Sequence, residues 1–326
     1  MTNFDHYTFA SICLRGDYHQ VVAYLEGLDD GAERLAEYKA VFEGDKYLLN
    51  VDNAEVTKLL HAYEDYLKWV LSNESTPKER QRYVVDKLKP FFPRARFYAH
   101  ISIEATYWIL HVMLRGFFKR HGYTCSPGEV LPYFCISVWG KNIKKTECVE
   151  LPEATINIEV IRMEGIVTRG WLDYLSKGIT STGGWVTRKG CAYFEDQFEE
   201  GSDEYKYVLL AHEGQHWHDK RNYRGIKETD MEYRAKLVEL IYLKDELKRF
   251  YSFLGGMADT DDRTHPHRYA NRRLMQGMSR KVFGVELETD KDKWAEKAAE
   301  VAVTALELLS EHTVMMKQRK GKGYVI

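Results

Sequence analysis

Apolar residues recur at three-to-four spacing between about Gly31 and Gly122: Leu35, Tyr38, Val41 and Phe42, then Val56, Leu59, Leu60, Tyr63, Leu67 and Val70. That period matches the turn of an α-helix, so each run predicts a helix with one buried face. Thr76-Pro77-Lys78-Glu79 offers an N-cap followed by proline in the first turn, and His121-Gly122 closes a long apolar helix. Between Pro127 and Phe198 the period shortens to two. Segments 132–139 and 155–161 are alternating and β-branched and predict strands, while 183–194 predicts two short strands joined by a tight turn at 188–190. Beyond Asp203 the helical period returns, with helices predicted near 203–220, 229–251, 265–282 and 289–317. The expected fold class is α+β and mostly helical, with a helical N-terminal region over 1–126 and a second domain over 127–326 that carries a small mixed sheet.

Composition adds mainly exclusions. The chain has 326 residues, of which 44% are hydrophobic and 13% aromatic, which excludes a disordered or low-complexity protein. The 47 basic and 49 acidic side chains leave a formal net charge of −2, so no global attraction to nucleic acid or to an anionic membrane is expected. The longest apolar stretches fall far short of a membrane span, and the N-terminus has no basic segment followed by an apolar run. A cytoplasmic location is expected. The five cysteines show no CxxC spacing, which predicts reduced thiols rather than a disulfide framework or a thiolate zinc site.

The candidate chemistry lies in His212-Glu213-Gly214-Gln215-His216, a His-Glu-x-x-His motif inside a predicted helix. Random ordering of this composition gives about 0.04 such motifs in a chain of this length. Two histidines four apart face the same way, so both rings can reach one Zn²⁺, and Glu213 lies beside them as a general base. A catalytic zinc needs a third protein ligand. A metzincin-like continuation would require Gly and His at positions held by Asp219 and Asn222, so a carboxylate from the next helix is the expected ligand. Glu232 is preferred because Ala235 follows it and lets the two helices approach. Glu228, Glu239 and Asp219 remain alternatives, and Thr229-x-x-Glu232 also fits a capping box.

These residues resemble the gluzincin branch of zinc metallopeptidases, the thermolysin-like group, over roughly residues 180–275. The resemblance implies a zincin-like metallohydrolase domain in which His212, His216 and Glu232 hold Zn²⁺ and Glu213 is the catalytic base. The chain departs from the family pattern around the third ligand, whose flanks here are Met231 and Ala235-Lys236. By the same resemblance, the strand before the motif helix receives the substrate backbone, which implicates Gly183, Gly184 and Trp185. A downstream His or Tyr steadies the oxyanion, and His267 and Tyr269 are the candidates. The expected partner is therefore a peptide or protein substrate, with no nucleic acid and no membrane. Two other readings are a zinc amidohydrolase or dedicated maturation enzyme without general peptidase activity, and a non-enzymatic helical interaction protein.

Overall fold

The computed structural model describes residues 3–44, 51–92, 102–130, 132–181, 183–243, 247–258, 260–319 and 323–326. It is α+β and mostly helical, with one five-stranded mixed sheet of order β1-β2-β3-β5-β4. The strands are β1 (Thr124–Val130), β2 (Tyr133–Leu151), β3 (Ala154–Thr168), β4 (Gly184–Val186) and β5 (Gly190–Phe194). Among the described residues, no helix is long and apolar enough to cross a membrane.

The chain divides into two units, each discontinuous in sequence: residues 1–142 with 163–182, and residues 143–162 with 183–326. The first unit holds α1 (His6–Cys13), α2 (Tyr18–Glu26), α3 (Gly31–Glu43), α4 (Ala54–Ser72), α5 (Pro77–Leu88), α6 (Ile103–Arg120) and α7 (Trp171–Ser176). Its core gathers Leu59, Leu60, Tyr63, Tyr66 and Leu67 of α4 with Leu114 and Phe118 of α6. Thr76 and Glu79 form the capping box that opens α5. Two buried tyrosines tie α4 to β2: Tyr63 Oη accepts from Ile136 N at 3.0 Å, and Tyr66 Oη accepts from Phe134 N at 3.1 Å.

The second unit holds a π-helical segment (Glu204–Ala211), α8 (His212–Asn222), α9 (Glu228–Tyr242), α10 (Leu247–Gly255), α11 (Pro266–Phe283), α12 (Lys291–Glu296) and α13 (Ala298–Gln318). Helix α9 is central: it packs against α8, α10, α11 and α13, and every residue from Thr229 to Leu240 is buried. Helix α8 lies on the sheet. A Cβ at Gly214 would sit 3.3 Å from Ile156 Cδ1 and 3.4 Å from Val149 Cγ1, so the small residue inside the motif sets how closely the helix approaches.

Three expected helices and two expected strands differ from the sequence expectation. The helix expected over 203–220 begins as a π-helix and becomes α-helical at His212, an arrangement common at functional sites. The expected helices 229–251 and 289–317 are each two helices, α9 with α10 and α12 with α13. Strands β2 and β3 run well past 132–139 and 155–161, into charged sequence that local pattern reads as loop. Ion pairs Lys144–Glu159 (3.7 Å) and Lys141–Glu164 (2.9 Å) hold charged positions of the two strands together, so charge here supports pairing instead of ending it.

Gly190 starts β5 where β3 passes closest: an added Cβ would fall 2.2 Å from Glu159 O and 2.8 Å from Glu159 N. Backbone cannot give way as a flexible side chain can. Gly190→Ala should therefore lower the unfolding free energy by about 2 kcal/mol or more. Gly128→Ala, whose Cβ meets nothing within 4 Å, should leave it within about 0.5 kcal/mol. Urea titrations of the two variants beside the parent check this pair.

Candidate metal centre

Helix α8 presents His212 and His216 one turn apart, with ring centroids 4.6 Å apart and planes at 87°. Helix α9 brings Glu232 between them: His216 Nε2 lies 3.2 Å from Glu232 Oε1, and His212 Nε2 lies 3.8 Å from Glu232 Oε2. All three residues are buried, and one ligand atom from each lies within 4.8 Å of the other two. A tetrahedral ion with bonds of about 2.0–2.1 Å spaces its ligand atoms about 3.3 Å apart, so the observed separations suit a small divalent cation. Glu232 Oε2 is buried, with His267 Nδ1 at 2.7 Å and Lys236 Nζ at 3.8 Å beside it.

The partners of these side chains sharpen the fit. His212 Nδ1 stands 2.6 Å from Glu239 Oε1. Burial opposes ionisation of Glu239, but Arg249 and His212 outweigh it and hold the carboxyl down at about 2. An ionised carboxylate only accepts, so Nδ1 of His212 carries the proton and Nε2 keeps its lone pair for a metal. Arg249 Nε donates to the second oxygen of Glu239. For Glu232, burial disfavours the charged form, yet His267 and His216 prevail and keep the carboxyl well below the usual carboxylate range. For His216, burial disfavours the charged ring, and the Glu232 hydrogen bond and charge outweigh it, so the net shift is upward. Lys236, buried one turn beyond Glu232 with Nζ 3.8 Å from Oε2, is pushed down by burial and only partly restored by Glu232 and Glu239.

The remaining sequence candidates separate into two groups. His267, at the start of α11 and 70% exposed, brings Nδ1 within 2.7 Å of Glu232 Oε2 and so joins the cluster. Tyr269 does not join it. Tyr269 is fully buried, its hydroxyl accepts from Arg273 Nε at 2.9 Å, and Arg263 and Arg273 each lie 5.1 Å from its ring. Glu213 is half-buried on α8, and its charge acts on the Cys191 thiol of β5, which burial already pushes up. Gly183, Gly184 and Trp185 lie in or beside β4, the edge strand of the sheet. The space that Gly184 leaves is taken from within the protein: a Cβ there would lie 2.9 Å from Leu209 Cδ1 and 2.8 Å from Ala192 O. Trp185 is half-buried and packs edge-on to Phe194 at 5.7 Å.

The alternative third ligands have other partners. Glu228 is exposed, and Glu239 engages the far side of His212. Asp219 has no exposed surface and accepts from Arg234 Nε at 2.8 Å and from Gln215 Nε2 at 2.9 Å. The capping box at Thr229 does not form, because α9 starts one residue earlier, with Lys227 as its N-cap. Sequence reasoning missed the roles of Arg234, Lys236 and Arg249. The available signal was an arginine and a lysine, flanked by Glu232 and Glu239, on a helix whose other residues are largely apolar.

The Arg234 guanidinium has no exposed surface and also reaches Glu153 Oε2 (2.6 Å) and Thr313 Oγ1 (2.7 Å). Asp219→Ala removes its fully buried acidic partner and should cost about 3–5 kcal/mol, whereas Asp219→Asn, which keeps an acceptor, should cost less. Chemical denaturation of both variants tests the ordering. No protein family model, no curated protein and no solved structure matches this chain.

Proposed function

We propose that the chain is a zinc-dependent hydrolase, most simply a peptidase, with His212, His216 and Glu232 as metal ligands and Glu213 as general base. The observation that carries this reading is the convergence of two imidazoles from one turn of α8 on a buried carboxylate of α9, with Glu239 orienting the first imidazole. Two nitrogens and one carboxylate oxygen form the ligand set of one class of catalytic zinc site, which leaves a position open. When bound there, Zn²⁺ supplies Lewis acidity towards a carbonyl oxygen and a nucleophile active at neutral pH.

The chain's own residues do the rest. Glu213 follows His212 directly on α8, so its carboxylate lies beside the ligand pair and not among it. It accepts the proton of the attacking water and hands it to the leaving nitrogen, which completes hydrolysis of the amide. His267, held against Glu232 and largely open to solvent, donates to the oxyanion. The outer edge of β4, the edge strand beside α8, lines the extended substrate backbone by strand addition.

Glu213→Gln should lower peptide hydrolysis at least about a hundredfold while one equivalent of zinc is retained by elemental analysis. Digestion of a peptide mixture by this variant at the parental rate would remove Glu213 from the mechanism. Glu239→Gln should weaken zinc binding about 10–100-fold in a chelator competition, because His212 then faces a neutral amide that can donate as well as accept and no longer fixes its tautomer. Protonated imidazole cannot ligate, and the metal-free pKa of His216 is raised above 6.5. Zinc affinity should accordingly be full at alkaline pH and fall as the pH is lowered towards and below neutrality, with proton release on binding.

A further inference from the structure

The face of α8 that carries Glu213 continues beyond the ligand pair with Trp217 one turn on, then Lys220 and Arg221 in the last turn. This helix and β4 run side by side in the same direction. At one end, Leu209, just before α8, occupies the space beside Gly184; at the other, Trp217 Nε1 donates to Arg188 O at 3.3 Å in the β4–β5 turn. The Arg221 guanidinium lies 4.4 Å from the centroid of the Trp217 ring. Arg188 and Lys189 of the turn are exposed, as are Lys220 and Arg221 of the helix. Among the described residues, none of these four makes an ion pair with a carboxylate. Lys144, Arg280 and Lys293, exposed elsewhere in this unit, are paired, whereas Arg224, Lys227, Lys248, Lys291 and Lys317 are exposed without an ion pair among the described residues, so what sets this group apart is its place at the end of β4. Four uncompensated cations therefore gather at the end of the edge strand proposed to receive the substrate.

We propose that this cleft selects peptide segments with acidic side chains on the N-terminal side of the bond that is cut, read by Arg188, Lys189, Lys220 and Arg221. The inference rests on the hydrolase reading above. A strand added antiparallel to β4 places its N-terminal part at the β4–β5 turn, because β4 itself runs towards that turn. Arg221 follows Glu213 by eight residues, or about 12 Å along a helix axis. An extended peptide covers that distance in about three to four residues. Trp217, four residues from Glu213 and so about 6 Å along, stands about two residues from the cut and gives an aromatic platform to the side chain there.

The test uses two octapeptides that differ only in carrying Glu-Glu or Lys-Lys at the third and fourth positions before a central cleavage site. Each is measured as a quenched substrate of the zinc-loaded parent, and as a dye-labelled ligand of zinc-loaded Glu213→Gln by fluorescence anisotropy. The Glu-Glu peptide should be cut with kcat/KM about tenfold higher and bound about tenfold more tightly, with both preferences shrinking at high salt. The double variant R188E/R221E should reverse the preference at parental zinc content. Cleavage of both peptides with no charge preference overturns the recognition proposal and leaves the hydrolase reading standing. Selective, salt-sensitive binding of the acidic peptide with no cleavage supports the recognition proposal and removes the hydrolase reading. Absence of both binding and cleavage overturns the two together, and an unchanged preference in the double variant assigns the selectivity elsewhere and overturns the proposal.

Discussion

Asp219 and Arg234 are both shut off from solvent, and the contact between them joins α8 to α9 within a few residues of the cluster on each helix. Asp219 is three residues beyond His216 and Arg234 is two beyond Glu232, so the ion pair sets the separation at which the imidazoles meet the carboxylate. A buried guanidinium with one acidic neighbour gone keeps its desolvation cost and loses most of the compensation. The geometry satisfies it three ways, through Asp219, Glu153 and Thr313, which also draws in the β2–β3 connection and α13. Helix α9 is thereby held on several sides by polar bonds in addition to the apolar contacts of Leu237, Val238 and Leu240.

Charge balance inside this unit follows a consistent logic. Glu232 and Glu239 are buried carboxylates kept ionised by neighbours, the first by two imidazoles and the second by Arg249 and His212. Asp230, also buried, accepts from the backbone amides of Val325 and Ile326 and faces His312 at 3.1 Å. Each of these anions has a donor beside it, which for Glu232 Oε2 is His267 Nδ1 at 2.7 Å.

Close backbone approach supplies the second constraint. Gly214 lets α8 settle on Val149 and Ile156, and Gly184 makes room for Leu209 ahead of that helix. Both glycines thus serve the distance between helix and sheet. This is a different role from the open peptide-facing surface that the sequence suggested for Gly184. Trp217 then closes the far end by bonding the turn at Arg188, which fixes the direction of the helix along the strand.

Much of the local structure was legible in the chain. The capping box at Thr76, the hairpin around 188–190 and the pairing of His212 with His216 depend on residues within a turn or two of one another, and side-chain periodicity reports such relations directly. Glu232 was reachable because the next helix follows after a short connection. The burial of α9 was not. Its sequence sets Glu, Asp, Arg and Lys among largely apolar residues, and local pattern does not say which of those charges are enclosed. Tertiary packing instead encloses every residue from Thr229 to Leu240 and supplies partners from Asp219, Arg249, Thr313 and His312. Periodicity reports which residues share a face of one helix, whereas the cost of burying a charge is met only by groups remote in sequence, so the fold alone decided which carboxylate faces the imidazoles and which stands behind them.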